Sequence, residues 1–172
     1  AQNWKGPVSI ADVGTGSGAI ALALAKELPD ARIVASDPSA VAQQYLDKNA
    51  RRLGLMERVS FVEGAGVEPL VGQGPFTLIV SNPPYIASAE LEGLQSDVKN
   101  YEPSEALDGG PDGLDVIRAL VSDVGKILEP GGWFLVEHGV GASQEVCALL
   151  NQTQQFEEAQ QISDLSGKNR VV

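Results

Sequence analysis

Apolar and polar positions along the chain fall into two kinds of block. Short, nearly continuous apolar runs read as buried strands at Val8–Val13, Arg32–Ser36, Val59–Val62, Phe76–Val80 and Trp133–Glu137. Between them apolar residues recur at helical spacing. Ala21, Leu24, Ala25 and Leu28 predict a helix that begins at Gly18 and is stopped by Pro29. Ser39 is placed to cap a second helix running to Leu53, with Gly54 as its stop. Leu114–Leu128, closed by Glu129-Pro130-Gly131-Gly132, and Ser143–Leu150 predict two more helices. Phe156–Ser163 is a weaker strand candidate, and Val171-Val172 reads as the start of a last strand. Residues 86–111 form a long, polar, acid-rich loop.

Alternating strands and helices predict the α/β class, a mostly parallel sheet with helices on both faces. The 172 residues suffice for one domain with a single core, 1–172, and show neither repeats nor a linker. In such sheets ligands bind beyond the carboxyl ends of the strands. Gly14, Asp37, Asn82 and His138 each follow a predicted strand.

Charge narrows the choice of partners. The net charge is −11, and residues 61–172 hold 17 acids against 5 bases. That half would repel a phosphate backbone, which argues against a large nucleic-acid footprint. No run approaches the ~18 apolar residues of a membrane span, and Ala1–Pro7 carries no leader pattern. With one cysteine, Cys147, and one histidine, His138, neither an internal disulfide nor a Cys- or His-rich metal site is expected. A reducing cytoplasm is the natural setting.

The first strand runs into Asp12-Val13-Gly14-Thr15-Gly16-Ser17-Gly18. Glycines at 14, 16 and 18 allow a sharp bend and a close approach of ligand to main chain, at the amino end of a helix that favours an anion. Ala19 stands where the dinucleotide pattern has its third glycine, which tilts the reading away from a pyrophosphate. Asp37, 19 residues after Gly18, can accept both hydroxyls of a ribose or cap the next helix. Together, loop and acid point to a ribonucleoside.

Asn82-Pro83-Pro84-Tyr85 follows the fourth strand. Two prolines stiffen the backbone and hold Asn82 extended. The Asn82 amide both donates and accepts, and so can pair with another amide or with an amino group on a planar ring. The Tyr85 ring can cover a planar or cationic group.

Asp12–Gly18 with Asn82–Tyr85 resemble the class I S-adenosylmethionine-dependent methyltransferases that methylate amino groups. VSNPPYI at 80–86, YEPSEALDGGPDGLDVIR at 101–118, LEPGGWFLVEHG at 128–139 and DLSGKNRVV at 164–172 are similar to the release-factor glutamine methyltransferases of the HemK/PrmC family. The likeness runs from Ile10 to Val172. The stretches at 101–118 and 164–172 separate that family from the adenine and guanine amino-methyltransferases, which share the two shorter motifs.

The resemblance implies a Rossmann-like, seven-stranded sheet with an antiparallel last strand. It implies S-adenosyl-L-methionine, leaving as S-adenosyl-L-homocysteine, held by Asp12, Gly14, Thr15, Gly16, Gly18, Asp37 and Asn82. The acceptor it implies is the glutamine side-chain amide of the Gly-Gly-Gln motif of class 1 peptide release factors, a protein partner. Asn82, Pro83, Pro84 and Tyr85 would bind that acceptor, with Asn82, Pro83 and Tyr85 catalytic.

Three departures from the family pattern stand out. Ala65 occupies the place of an acid near the adenine, in Glu63-Gly64-Ala65-Gly66. The family's amino-terminal helical substrate domain is expected to be absent, and the last strand to be cut short. The alternative activity is methylation of a DNA or RNA base amino group by the same Asn-Pro-Pro-Tyr loop. A non-catalytic cofactor-binding module is a third reading, against which the intact loop argues. Glu102 and Glu137 are base candidates better read as structural, His138 reads as a satisfied structural histidine, and Cys147 as packing. Glu90, Glu92, Asp97, Glu102, Glu105 and Asp108, against the single Lys99, form either a solvated loop or a dock for a basic protein surface.

Overall fold

The computed structural model describes residues 7–95 and 102–172. These fall into two compact units. The first runs through Ser81 and adds Val124–Leu135; the second comprises Asn82–Asp123 and Val136–Val172.

The strands of the first unit are β1 (Ser9–Val13), β2 (Arg32–Asp37), β3 (Val59–Glu63), β4 (Phe76–Ser81) and β5 (Leu128–Val136), in the order β3-β2-β1-β4-β5. β1 lies parallel to both β2 and β4, and β2 parallel to β3. Val13 is in register with Ser36 and Ser81, and Asp37 with Glu63, so the carboxyl ends come out level. Strand order reverses between β1 and β4, which is where sheets of this class open a crevice for ligands.

Helix α1 (Ala19–Glu27) ends before Pro29, and α2 (Ala40–Leu53) begins and ends as the sequence predicts. The Ser39 hydroxyl oxygen accepts from the Val41 N–H, and Gly54 closes the helix at φ 71°. Ile10, Ile33, Leu78 and Val80 of the sheet pack with Ala21, Leu22 and Ala25 of α1 and with Leu46 and Ala50 of α2. Each fully buried aliphatic side chain contributes about 1.5–3 kcal/mol.

In the second unit α3 (Asp115–Asp123) buries Ile117, Leu120 and Val121. It packs on α4 (Ser143–Thr153), which buries Val146 and Leu150. Short strands β6 (Ile162–Ser163) and β7 (Asn169–Val171) pair antiparallel, and an antiparallel bridge joins Val171 to Glu137. The seven strands described form a five-stranded sheet and a two-stranded ladder, not the one seven-stranded sheet that the resemblance implies, and the last runs antiparallel to β6.

Four expectations are revised. The helix predicted to Leu128 ends at Asp123, and a 3₁₀ turn at Val124–Lys126 follows. The Ile127 carbonyl accepts from the Phe76 N–H at 2.8 Å, so the chain is already laid beside β4 there. Glu129-Pro130-Gly131-Gly132 therefore lies inside β5, which it bends at Gly131 (φ 80°), instead of forming a separate turn. Of Phe156–Ser163 only the last two residues are strand, and the acid-rich loop contains 3₁₀ turns at Ser88–Gly93 and Ser104–Ala106.

Gly18 shows why a side chain is excluded between α1 and α2. Its φ is 82°, and an added Cβ would lie 2.2 Å from Leu46 Cδ1. At Gly14 (φ 72°) an added Cβ meets nothing within 4 Å. Gly18→Ala is expected to cost roughly 2–4 kcal/mol, strain plus overpacking, and Gly14→Ala only about 1 kcal/mol. Urea unfolding of both variants checks the ranking; equal losses would place Leu46 elsewhere.

Candidate functional site

The glycine loop is fixed from beneath by backbone and by one carboxylate. Gly14 and Thr15 N–H groups both donate to the Ser36 carbonyl, at 2.8 and 3.0 Å, and Gly18 N–H donates to the Thr15 carbonyl. Asp12, 1% exposed, accepts through Oδ2 from the Thr15 hydroxyl at 2.6 Å and from the Ala21 N–H at 3.0 Å. Its charge thereby meets the amino end of α1, where an anion is favoured. Its Oδ1 and the Ser36 hydroxyl are buried without a hydrogen-bond partner among the described residues. Burial, offset in part by the Thr15 and Ala21 donors, raises the Asp12 pKa to about 6.

The upper side of the loop is open. Gly14, Gly16 and Ser17 are exposed, and an added Cβ at Gly14 or Gly16 would touch nothing within 4 Å. Asp37 ends β2 half-buried. Its Oδ2 accepts from the Gly16 N–H and its Oδ1 from the Ser39 N–H, both at 2.9 Å. The helix cap itself is Ser39, so Asp37 does not cap α2 but braces the glycine loop and the turn ahead of Ser39. With about four lone-pair sites on a carboxylate, it keeps capacity for hydroxyl donors as well. Ala65 is exposed beyond β3, and the Gly64 N–H donates to the Asp37 carbonyl. Thr15 and Gly18 are buried and shape the cradle, whereas Gly14 and Gly16 face outward.

Ser81, the last residue of β4, donates its hydroxyl to the Val13 carbonyl at 2.7 Å. Asn82 follows it in the chain and is exposed, and its side chain has no hydrogen-bond partner among the described residues. Pro83 is buried, and Pro84 and Tyr85 are half-buried. Tyr85 donates its hydroxyl to Glu137 Oε1 at 3.2 Å. Arg170 Nη2 donates to the Tyr85 oxygen at 2.7 Å and to Glu137 Oε1 at 3.1 Å, and the guanidinium lies over the ring, 5.2 Å from its centroid. The cation that the Tyr85 ring covers is thus one of the chain's own. Burial and the Glu137 charge raise the Tyr85 pKa, and Arg170 partly opposes them.

Behind this loop lies a brace that the sequence reading did not find. Ile86 N–H donates to the Leu107 carbonyl, Gly109 N–H to the Ile86 carbonyl, and Ser88 N–H to the Gly110 carbonyl. Gly113 (φ 78°) sits so close that an added Cβ would be 2.4 Å from the Tyr85 carbonyl oxygen. Asp108, one of the loop acids, accepts from the Ser88 hydroxyl and the Gly110 N–H, which hold its carboxyl below the usual range. It is a structural acid. Asp97 and Lys99 lie outside the described residues. His138 is fully buried, with Nδ1 2.8 Å from the Gly139 carbonyl and Nε2 3.4 Å from the Ser143 hydroxyl. Glu137 is committed to Tyr85 and Arg170, and Glu102 is exposed. Among the described residues no three His, Cys, Asp or Glu side chains are grouped to hold a metal, and no helix is long and apolar enough to cross a membrane.

The raised Asp12 pKa has a sign that can be tested. The folded state holds this proton more tightly than the unfolded chain, so the group's contribution falls as pH rises from 3.8 to about 6. Asp12→Asn mimics the protonated form. Its stability relative to wild type should rise between pH 4 and pH 7 by roughly 3 kcal/mol, measured by denaturant titration. A difference independent of pH would mean that Asp12 stays ionised throughout.

The chain is similar to known proteins in sequence and in fold. A release factor glutamine methyltransferase of Geobacter sulfurreducens is 46% identical over 95% of this chain and 56% of its own length. A protein of the same name from Moorella thermoacetica is 45% identical over 94% of the chain and 56% of its own length. The chain therefore spans about half the length of the curated relatives it matches. A methyltransferase from Pyrococcus furiosus, 17% identical, superposes with a TM-score of 0.69 over 97% of this chain and 75% of that one, a likeness of fold. The family model described as methyltransferase small domain matches residues 4–96, more than half of the sequence, and the chain belongs to that family.

Proposed function

We propose that the chain transfers a methyl group from S-adenosyl-L-methionine to the side-chain amide nitrogen of a glutamine, that of the Gly-Gly-Gln motif in class 1 peptide release factors. One observation carries the reading. In the segment Ser81–Tyr85 the two ends are tied down, and Asn82 between them offers an exposed amide with no partner among the described residues. An uncommitted amide on a proline-stiffened loop is suited to recognising another amide. The names of the relatives at 45–46% identity favour the same acceptor.

The glycine cradle fits the cofactor. Gly14 and Gly16 leave main chain open to contact, Asp37 presents a carboxylate at the end of β2, and Asp12 holds the loop in shape. In this reading Asp37 takes the ribose hydroxyls, the loop faces the amino-acid end, and main-chain N–H groups near Ala65 serve the adenine. When bound, the cofactor supplies a methyl already activated by its sulfonium. The residues then have mainly to position the acceptor.

An amide nitrogen is a poor nucleophile because its lone pair is delocalised. Asn82 Oδ1 and the Pro83 carbonyl accept its two N–H groups, aim the nitrogen and favour a more pyramidal form. As the methyl passed from sulfur to nitrogen and the neutral thioether left, these oxygens would offset the positive charge developing on nitrogen, which would then lose one N–H proton to solvent. Pro84 keeps the loop stiff.

The base-methylating alternative is less well supported. Stacking a flipped base calls for an open aromatic face, and Arg170 already covers one face of Tyr85. The acidic balance of residues 61–172 also opposes a phosphate backbone.

Radiolabelled methyl transfer to a release factor, to DNA and to tRNA, run side by side, tests the proposal. Label is expected on the release factor alone; label on either nucleic acid would overturn it. Asn82→Ala should lower transfer about 100-fold or more while leaving cofactor affinity within twofold, and near-normal turnover would remove Asn82 from the acceptor site. Asp37→Ala should weaken cofactor binding by roughly 2–4 kcal/mol, two charge-assisted hydrogen bonds, measured by calorimetry. An unchanged dissociation constant would leave Asp37 only its bonds to Gly16 and Ser39.

A further inference from the structure

We propose that Arg170 is a positioning residue for this reaction, acting through Tyr85 to fix the loop that carries Asn82. The inference rests on the glutamine-methylating reading of that loop. Its grounds are geometric. One nitrogen of the guanidinium donates to both the Tyr85 hydroxyl and Glu137, while the central carbon of the group lies over the Tyr85 ring. Tyr85 closes the three-way contact by donating to Glu137. The ring is therefore held at its hydroxyl and on one face.

The other end of Tyr85 is held too. Gly113 leaves no room behind the carbonyl oxygen, and Gly139 stands near the ring edge. Beyond Tyr85 the chain is laddered to residues 107–110. Only two prolines separate Tyr85 from Asn82, and each fixes one backbone dihedral. The position of the ring is thereby passed on to the Asn82 amide with little slack. β7 delivers Arg170: His138 N–H donates to the Arg170 carbonyl at 3.0 Å, and Val136 and Val172 exchange backbone bonds on the other side. The side chain is half-buried, and its 3.1 Å ion pair with Glu137 has a better-defined geometry than a fully exposed pair would.

A lysine keeps the charge but loses the broad planar head whose centre lies over the ring while one of its nitrogens reaches both acceptors. Misplacing a reacting group by an ångström can cost on the order of 100-fold. Arg170→Lys should therefore lower kcat for methyl transfer to a release factor roughly 10- to 100-fold, with cofactor affinity unchanged within twofold. Tyr85→Phe removes the hydroxyl and should also lower kcat. Because Arg170 acts through Tyr85, the double variant should be little worse than the poorer single variant. Multiplying penalties would show that Arg170 works independently of Tyr85 and would overturn the inference. So would wild-type kcat in Arg170→Lys.

Amide exchange separates this inference from the reading on which it rests. The Ile86 and Ser88 N–H groups should exchange several-fold faster in Arg170→Lys than in wild type, whatever the acceptor. If the wild-type chain labels a nucleic acid instead of the release factor, the glutamine reading fails, and the same kinetic cycle on that acceptor decides the role of Arg170. Exchange unchanged from wild type would overturn the clamp itself.

Discussion

A single buried carboxylate organises the first unit. Asp12 leaves the end of β1 and gathers the Thr15 hydroxyl and the Ala21 N–H onto one oxygen, which ties the glycine loop to the first turn of α1. The Ser36 carbonyl, Gly18 and Asp37 hold other points of the loop, but it is Asp12 that links the Thr15 side chain to the first turn of α1. The raised pKa is the cost of placing a charge where water does not reach it. In return the open glycines, Gly14 and Gly16, keep a fixed shape with space among the described residues where a Cβ would stand.

The second unit meets the same demand by different means. It fixes a segment without filling it, using the prolines at 83 and 84, the three-way contact at Tyr85 and the close approach of Gly113. Both units present exposed, underused polar groups on a backbone that other residues immobilise. Stiff surroundings around an uncommitted amide suit a reaction limited by orientation more than by the strength of an acid or base. They are consistent with Glu137 and His138 being tied up structurally, one by Tyr85 and Arg170, the other by Gly139 and Ser143.

Much of this was legible in the sequence because it rests on local rules. Ser39 and Gly54 bound α2 where capping chemistry puts them, and the apolar runs became β1 to β4 with ends shifted by a residue at most. The glycine loop and Asn82–Tyr85 could be read because glycine and proline constrain the backbone on their own. What could not be read depends on residues far apart in the chain. Nothing near Tyr85 announces that Arg170 covers its ring, or that Gly113 stands against its carbonyl. The helix assigned through Leu128 failed for a similar reason, since the Phe76 N–H, some fifty residues earlier, claims the Ile127 carbonyl. Asp37 was readable only as a choice between two roles, because one carboxylate can serve a turn and a ligand together.

Gly113 has a consequence for how such a loop could be moved between proteins. The segment from 107 to 113 gives the Asn-Pro-Pro-Tyr loop its backing through main-chain atoms and through the absence of a side chain. Four residues copied into another scaffold would bring the amide and the ring but not the wall behind them. The transferable unit is therefore discontinuous: a tetrapeptide together with a glycine-rich strip more than twenty residues downstream. An engineer seeking to install this stiffened, exposed amide would have to graft both, and could judge success by whether the strip admits an alanine.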